Sequence, residues 1–394
     1  MTTNKTPMML IVALMIGYSM IYMDKQMIST AIIPLAQELE LTKAQSGLIM
    51  SLFFLGYSLM QIPSGWLADK IGAKKVLLAS LGLVAVFSVL FGFGASLMVF
   101  VVIRFFAGIG HAGYPPSCSK TIADNFPREK RTFAQALMLA TSGIGGILAF
   151  TLGAQLIASN WHNAYYVLGA LFAVAFVLVW IFVPNNYQTP AQQNKSQAPK
   201  MKFTEIITNR NVLTLFVAML LLNFLLYGNM SWLPSYLQTK FGIEIGQVGI
   251  ILAINAVCTT VATLIVGSLL SKLFLGKEKM FTIVTAVIVS VLMIVFVMSS
   301  NLIFSTIILF CISMVSIGTF ISIFTWPHKL FDQSIIGSSI GIINTGGTIG
   351  GFLAPMVLGY LIDQAGGSFG SAFTFMAIAG LMCGVTTLMI RKQA

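Results

Sequence analysis

Four ionisable residues stand where a chain of this composition has least use for them. Asp24 and Lys25 interrupt a stretch between Lys5 and Glu38 that is otherwise almost entirely apolar or small, and Arg104 and His111 interrupt another, RFFAGIGHAGYPP. An Asp, Lys or Arg near the centre of a membrane helix costs about 2.5–3.5 kcal/mol on insertion scales. Asp24, Lys25 and Arg104 facing lipid would together cost roughly 8–10 kcal/mol, comparable to the stability of a whole domain. They must therefore face one another, other polar groups or water. Neighbours on a helix point about 100° apart, so Asp24 and Lys25 cannot neutralise each other along one face. Each is predicted to find its partner on another helix or in a wet cavity. Arg104, Gly108 and His111, at i, i+4 and i+7, share a face that is polar with a notch in it. The chemistry this set offers is the grip of an anion by Lys25 and Arg104, with Asp24 and His111 able to take and release a proton.

The elements that position these residues are helices built for lipid. Of the 394 residues, 57% are hydrophobic and 8% charged, and runs of about 20 apolar residues recur from end to end. Breaks at Gly, Pro and charge divide the chain into twelve predicted helices: 8–36, 45–67, 75–95, 97–123, 132–157, 163–184, 211–238, 246–271, 279–299, 302–326, 336–362 and 369–390. The net charge of +11 would suggest a nucleic-acid partner in a soluble protein, but with an even number of spans 18 of the 22 Lys and Arg fall on one side. That asymmetry predicts cytoplasmic termini and excludes nucleic acid as the partner. Cys118, Cys258, Cys311 and Cys383 lack metal or disulfide spacing and are expected to pack. The first apolar stretch is too long for a cleaved signal and is predicted to remain as the first span.

A polar segment, PNNYQTPAQQNKSQAPKMKFTEIITNR, separates six spans from six. It predicts an N-terminal bundle over 1–184, a cytoplasmic linker over 185–210 and a C-terminal bundle over 211–394. Between spans 2 and 3 stands GWLADKIGAKK; the matching loop of the second half, GSLLSKLFLGKEKM, also places a Gly before a short basic loop, as a duplicated six-helix unit would. GWLADKIGAKK resembles the signature loop of the major facilitator superfamily. The resemblance implies an all-α membrane fold of twelve helices in two pseudo-symmetric bundles. It also implies a cytoplasmic gate at Gly65, Asp69, Lys70 and Gly72, with Gly65 permitting close helix approach and Asp69 meeting a helix N-terminus of the other half.

The pattern YMDKQMISTA is similar to the first span of the superfamily's anion:cation symporters, which include bacterial sugar-acid symporters, sialin and the vesicular glutamate transporters. SLFFLGYSLMQIPSGWLAD, NWHNAYYVLG, WLPSYL and GIINTGGTIGGFLAP extend the likeness over both halves. By that resemblance Lys25 stands at the basic substrate site, Asp24 at a protonation site and Arg104 at the span-4 arginine. His111 departs from the pattern, standing where relatives have a Glu read as a proton carrier. Tyr22, Tyr57, Trp326 and Asn344 match positions that line the central cavity. Asn223 and Tyr227, one turn apart on span 7, join them because their polar faces coincide.

These features predict a secondary active transporter that takes up a small organic anion, a sugar acid or other carboxylate, together with protons by alternating access. Its expected home is the bacterial inner membrane, as a monomer with no cofactor. Proton-coupled export of a metabolite, siderophore or drug is the alternative on the same fold. Against drug export, the segment ATSGIGGILAFTLGAQL of span 5 lacks the Gly-Pro motif such exporters carry. With no paired carboxylates, zinc spacing or nucleophile beside a base, an enzyme is not expected. The 22 Met residues at helical spacing read as packing and not as a metal site.

Overall fold

A computed structural model of the chain describes residues 6–185, 206–274, 276–331 and 336–390. The 185–210 linker therefore lies almost wholly outside the described residues. Within them the structure is helical: α1 Thr6–Glu38, α2 Lys43–Ile71, α3 Ala73–Gly92, α4 Leu97–Asn125, α5 Arg128–Leu148, a π-helical turn Ala149–Gly153, α6 Ala154–Ser159, α7 Trp161–Phe182, α8 Arg210–Phe241, α9 Ile245–Lys272, α10 Glu278–Met298, α11 Leu302–Thr325, α12 Pro327–Leu330, α13 Ile336–Gln364 and α14 Gly370–Thr387. Twelve spans are long and apolar enough to cross a membrane, with α5, the π turn and α6 forming one of them. Large apolar side chains such as Ile62, Leu264, Met298 and Ile303 are more than 70% exposed, a surface suited to lipid and not to water.

Contacts gather the chain into two compact units. Unit 1 takes in the described residues of Met1–Leu41, Leu48–Gln193 and Gly242–Ala253; unit 2 takes in those of Thr42–Gly47, Asn194–Phe241 and Ile254–Ala394. Helix ends follow local rules. The Asn160 side chain accepts the Asn163 N–H at the start of α7, and the Asn301 side chain accepts the Phe304 N–H at the start of α11.

Prolines lie inside α1, α2, α4, α8 and α13. Each removes a backbone donor that lipid cannot replace, so neighbouring helices must satisfy the freed carbonyl. In α4 Pro116 has no N–H for the carbonyl of Ala112, and the Ser64 hydroxyl of α2 donates to that oxygen at 2.9 Å. In unit 2 the helices α10 and α11 are joined by hydroxyl pairs, Thr282 with Ser322 at 2.8 Å and Thr319 with Thr285 at 2.9 Å.

Within unit 1, α2 and α4 touch backbone to backbone. A Cβ on Gly108 would collide with the carbonyl of Phe53, and one on Gly56 with the carbonyl of Phe105. This mutual approach holds Phe53 and Tyr57 against the polar face of α4. Gly108→Ala is expected to destabilise the protein by about 1–3 kcal/mol through overpacking. Gly341→Ala, at a helical position with open space around it, should instead be neutral or stabilising by up to about 1 kcal/mol. Thermal unfolding of the detergent-solubilised protein checks both signs.

Candidate functional site

The residues singled out as substrate contacts fall into two sets, Tyr22, Lys25, Tyr57 and Arg104 in unit 1 and Asn223, Tyr227, Trp326 and Asn344 in unit 2. The first set surrounds a buried charge cluster. Asp24, on α1, reaches α4: its Oδ2 lies 2.7 Å from His111 Nε2 and 3.6 Å from Arg104 Nη1. All three residues are at most 2% exposed. The i to i+7 spacing that placed Arg104 and His111 on one face is what lets both approach the same carboxylate oxygen. With Asp24 ionised, His111 Nε2–H donates to it, a charge-assisted bond of the stronger kind. The Arg104 contact is an ion pair too long for a hydrogen bond.

Aromatic rings wall the cluster. The Arg104 guanidinium carbon lies 4.5 Å from the Phe53 ring centroid, and Phe53 meets the His111 imidazole edge to face at 4.7 Å. Phe172 of α7 stands 6.3 Å from His111. Such walls exclude water and strengthen every electrostatic contact inside them. Arg104 Nε and the Tyr165 hydroxyl are buried without a hydrogen-bond partner among the described residues. A guanidinium with an unmatched donor and only a long ion pair is held by charge more than by geometry.

Lys25, a helical step of about 100° from Asp24, turns toward α2 and is half-buried. Its Nζ lies 5.3 Å from the Phe54 centroid and 5.6 Å from that of Tyr57. Tyr57 also stacks on Phe53 at 6.3 Å, so one helix, α2, touches Lys25 with one ring and Arg104 with the next. Tyr22 stacks on Tyr18 at 5.0 Å, and its Cβ packs where Gly145 of α5 leaves room.

The unit 2 set is less uniform. Asn223 Nδ2 donates to the Met219 carbonyl of its own helix at 2.9 Å and abuts Gly347. Tyr227 and Asn344 are half-buried. Trp326 is 6% exposed in an apolar cluster with Met219, Leu222, Ile323 and Ile343. It packs the core because it sits at the junction of α11 and α12, where a large ring closes the space against α8.

The loop resembling a gate also differs in detail. Gly65 is not required for close approach, since the nearest atom to an added Cβ is Pro116 Cβ at 3.8 Å, an ordinary contact. Gly72 is required: its φ of 97° precedes α3 in a conformation other residues adopt under strain. Asp69 pairs with Lys120 of α4 at 2.9 Å. The pair is exposed, and such pairs contribute about 0–1 kcal/mol. Lys70 lies over Trp66, 4.6 Å from its centroid. Of the four cysteines, Cys118 and Cys383 are buried as packing residues, whereas Cys311 is exposed.

Sequence reasoning missed Phe53, Tyr165 and Phe172, which surround the charges. Gly56 and Gly108, four residues or fewer from Phe53 and Arg104, were the available sign that α2 approaches α4 here. Asp24→Asn removes the counter-charge and leaves Arg104 buried alone, a loss of about 3–5 kcal/mol for one partner of a buried pair. The double variant Asp24→Asn/Arg104→Leu should recover most of it. Unfolding midpoints in detergent decide the point, and a loss in the double variant equal to the sum of the two single-variant losses would show that the two groups do not interact.

Comparison with known proteins bears on the class of this site. The chain is 27% identical to the probable sulfoacetate transporter SauU of Cupriavidus necator, over 98% of this chain and 93% of that one. It is 26% identical to the probable galactarate/D-glucarate transporter GarP of Escherichia coli K12 (94% and 91% covered) and 25% identical to the cis,cis-muconate transport protein of Acinetobacter baylyi (94% and 91%). In fold it is similar to a bacterial homologue of the human lysosomal transporter Spinster, with a TM-score of 0.80, 17% identity and 98% and 95% coverage. The nucleoside transporter NupG gives a TM-score of 0.80 at 16% identity, with 97% and 100% covered. These relatives are transporters and not enzymes, and they support the resemblance to the organic-anion carriers. Residues 14–355 match the Major Facilitator Superfamily model, and the chain belongs to that superfamily.

Proposed function

We propose that this protein takes up a small organic anion, a sugar acid or another carboxylate, in symport with protons by alternating access. The observation that carries the reading is the buried Asp24–His111–Arg104 cluster with Lys25 one residue away. A carrier needs a cation for its cargo and a group that changes charge when a proton arrives, and here the two are in contact.

The steps follow from the geometry. While Asp24 is ionised it compensates the charge of Arg104, and a second carboxylate has little to gain there. A proton taken by the Asp24–His111 pair cancels that hold, so Arg104 and Lys25 are left to be balanced by the anion. Loss of the proton restores the Asp24 charge, which then competes with the cargo. The magnitudes match: a buried partner is worth about 3–5 kcal/mol, and millimolar affinity corresponds to about 4 kcal/mol. Competition of that size moves binding across the useful range. The unmatched Nε of Arg104 supports a side chain ready to change partners.

The cargoes named for the three relatives are sulfoacetate, galactarate or glucarate, and muconate, all anions with two acidic groups. Lys25 and Arg104 provide two cations. The excess of Lys and Arg on one side supports cytoplasmic termini in a bacterial inner membrane, and on this reading the protein acts as a monomer. The export alternative has no observation in its favour beyond the shared fold.

Two measurements test this. In a thermal-shift screen in detergent, galactarate, glucarate, galactonate, muconate and sulfoacetate are compared with neutral galactose. At least one acid should raise the midpoint, by up to about 2.7 kcal/mol of stabilisation at 100 times its dissociation constant, and Lys25→Ala should abolish the effect; stabilisation by galactose alone contradicts the reading. In proteoliposomes an acidic exterior should drive accumulation of that acid, and Asp24→Asn should lose the response to the pH gradient. An Asp24→Asn protein that still concentrates the acid removes Asp24 from coupling.

A further inference from the structure

The start of α2 is fastened more elaborately than a helix end needs. Four N–H groups at a helix N-terminus have no partner within the helix. At this end the helix satisfies part of the deficit itself by a capping box: the Gln45 N–H donates to Thr42 Oγ1 at 3.2 Å, and the Thr42 N–H donates to Gln45 Oε1 at 2.9 Å. The N–H groups left over are those of Lys43 and Ala44. Asp363, near the end of α13, takes both, with Lys43 N–H to Oδ1 at 3.0 Å and Ala44 N–H to Oδ2 at 2.7 Å.

The same turn is seated by shape. A Cβ on Gly47 would collide with the carbonyl of Pro355, and one on Gly359 with the carbonyl of Lys43, so the two backbones touch along this stretch. The Lys43 ammonium lies 5.9 Å from the Phe369 ring centroid. These contacts place Thr42–Gly47 in unit 2, although the same helix belongs to unit 1 from Leu48 onward. That later part carries Phe53 and Tyr57, the rings against Arg104 and Lys25. Gly242–Ala253 belong to unit 1 in a comparable way, with Gly249 against the carbonyl of Phe150 in the π-helical turn.

We propose that Asp363 is a detachable cap that fastens the first turn of α2 to α13. The capping box is what makes it detachable. When Asp363 lets go, the helix keeps its own Thr42–Gln45 bonds, and water can replace the carboxylate at the two remaining N–H groups of a half-buried site. A cap that merely prevented fraying would not need a carboxylate in addition to the Thr42–Gln45 box. The proposal rests on the transport reading in one respect, that a carrier must possess contacts it can break and remake.

Hydrogen exchange resolved to single amides, on the full chain in detergent without any ligand, tests it. Asp363→Asn should speed exchange of the Lys43 and Ala44 amides at least tenfold and leave Gln45, Ser46 and Leu48–Tyr57 within about threefold. Asp363→Glu, which keeps the charge, should remain close to the parent protein. Three results would overturn the proposal: unchanged exchange in Asp363→Asn, acceleration along the whole of Thr42–Tyr57, or failure of Asp363→Asn to fold, the last two making Asp363 a structural support. Because no substrate enters, this outcome is independent of whether an organic acid is transported.

Discussion

A carboxylate placed inside a bundle of apolar helices governs the arrangement of its surroundings. Asp24 is buried where lipid and ring faces offer it nothing, so the fold must bring it a cation and a donor. Both come from one face of α4, as Arg104 and His111. The requirement propagates outward: α4 must lie close to α1, the notch at Gly108 must admit α2, and α2 must present Phe53 to cover the pair. Buried ion pairs of this kind are poor devices for stability, since desolvation offsets most of the attraction. Their presence is better explained by a charge that changes during function.

That view also accounts for the uneven quality of the contacts. His111 meets Asp24 at 2.7 Å and Arg104 meets it at 3.6 Å. On the proposed reading, the close bond is the one a shared proton would use and the looser one is the one an incoming anion would replace. Lys25 lies over the Phe54 and Tyr57 rings of α2, and Tyr57 stacks on the Phe53 that faces Arg104. Histidine in place of the glutamate of the resembled family preserves a titratable partner for Asp24. When protonated that partner is cationic where a glutamic acid would be neutral, which makes the Asp24–His111 pair, and not either residue singly, the unit to consider.

Much of this was legible in the sequence because cost is legible. Charges in apolar spans stand out at once, and the spacing from Arg104 to His111 shows that they share a face. The twelve spans could be marked from composition and breaks to within a few residues. What periodicity could not supply was which helices cross: one phenylalanine among 30 does not declare that it covers an arginine, so Phe53 and Phe172 were invisible. Gly65 looked like a contact glycine but has room for a methyl group, whereas Gly72 is needed for its backbone angle. Asp363 stands near a span end without any sign in the sequence of a partner; only the fold shows the two backbone N–H groups it takes.

The account turns on one quantity, the number of protons taken up when an anion binds. Calorimetric titration with the organic acid that stabilises the protein, carried out in two buffers of different ionisation enthalpy, measures it directly. About one proton should enter per anion bound to the parent protein and none in Asp24→Asn. Equal uptake in the two proteins, or none in either, would contradict the claim that Asp24 and the cargo compete for the same buried cation.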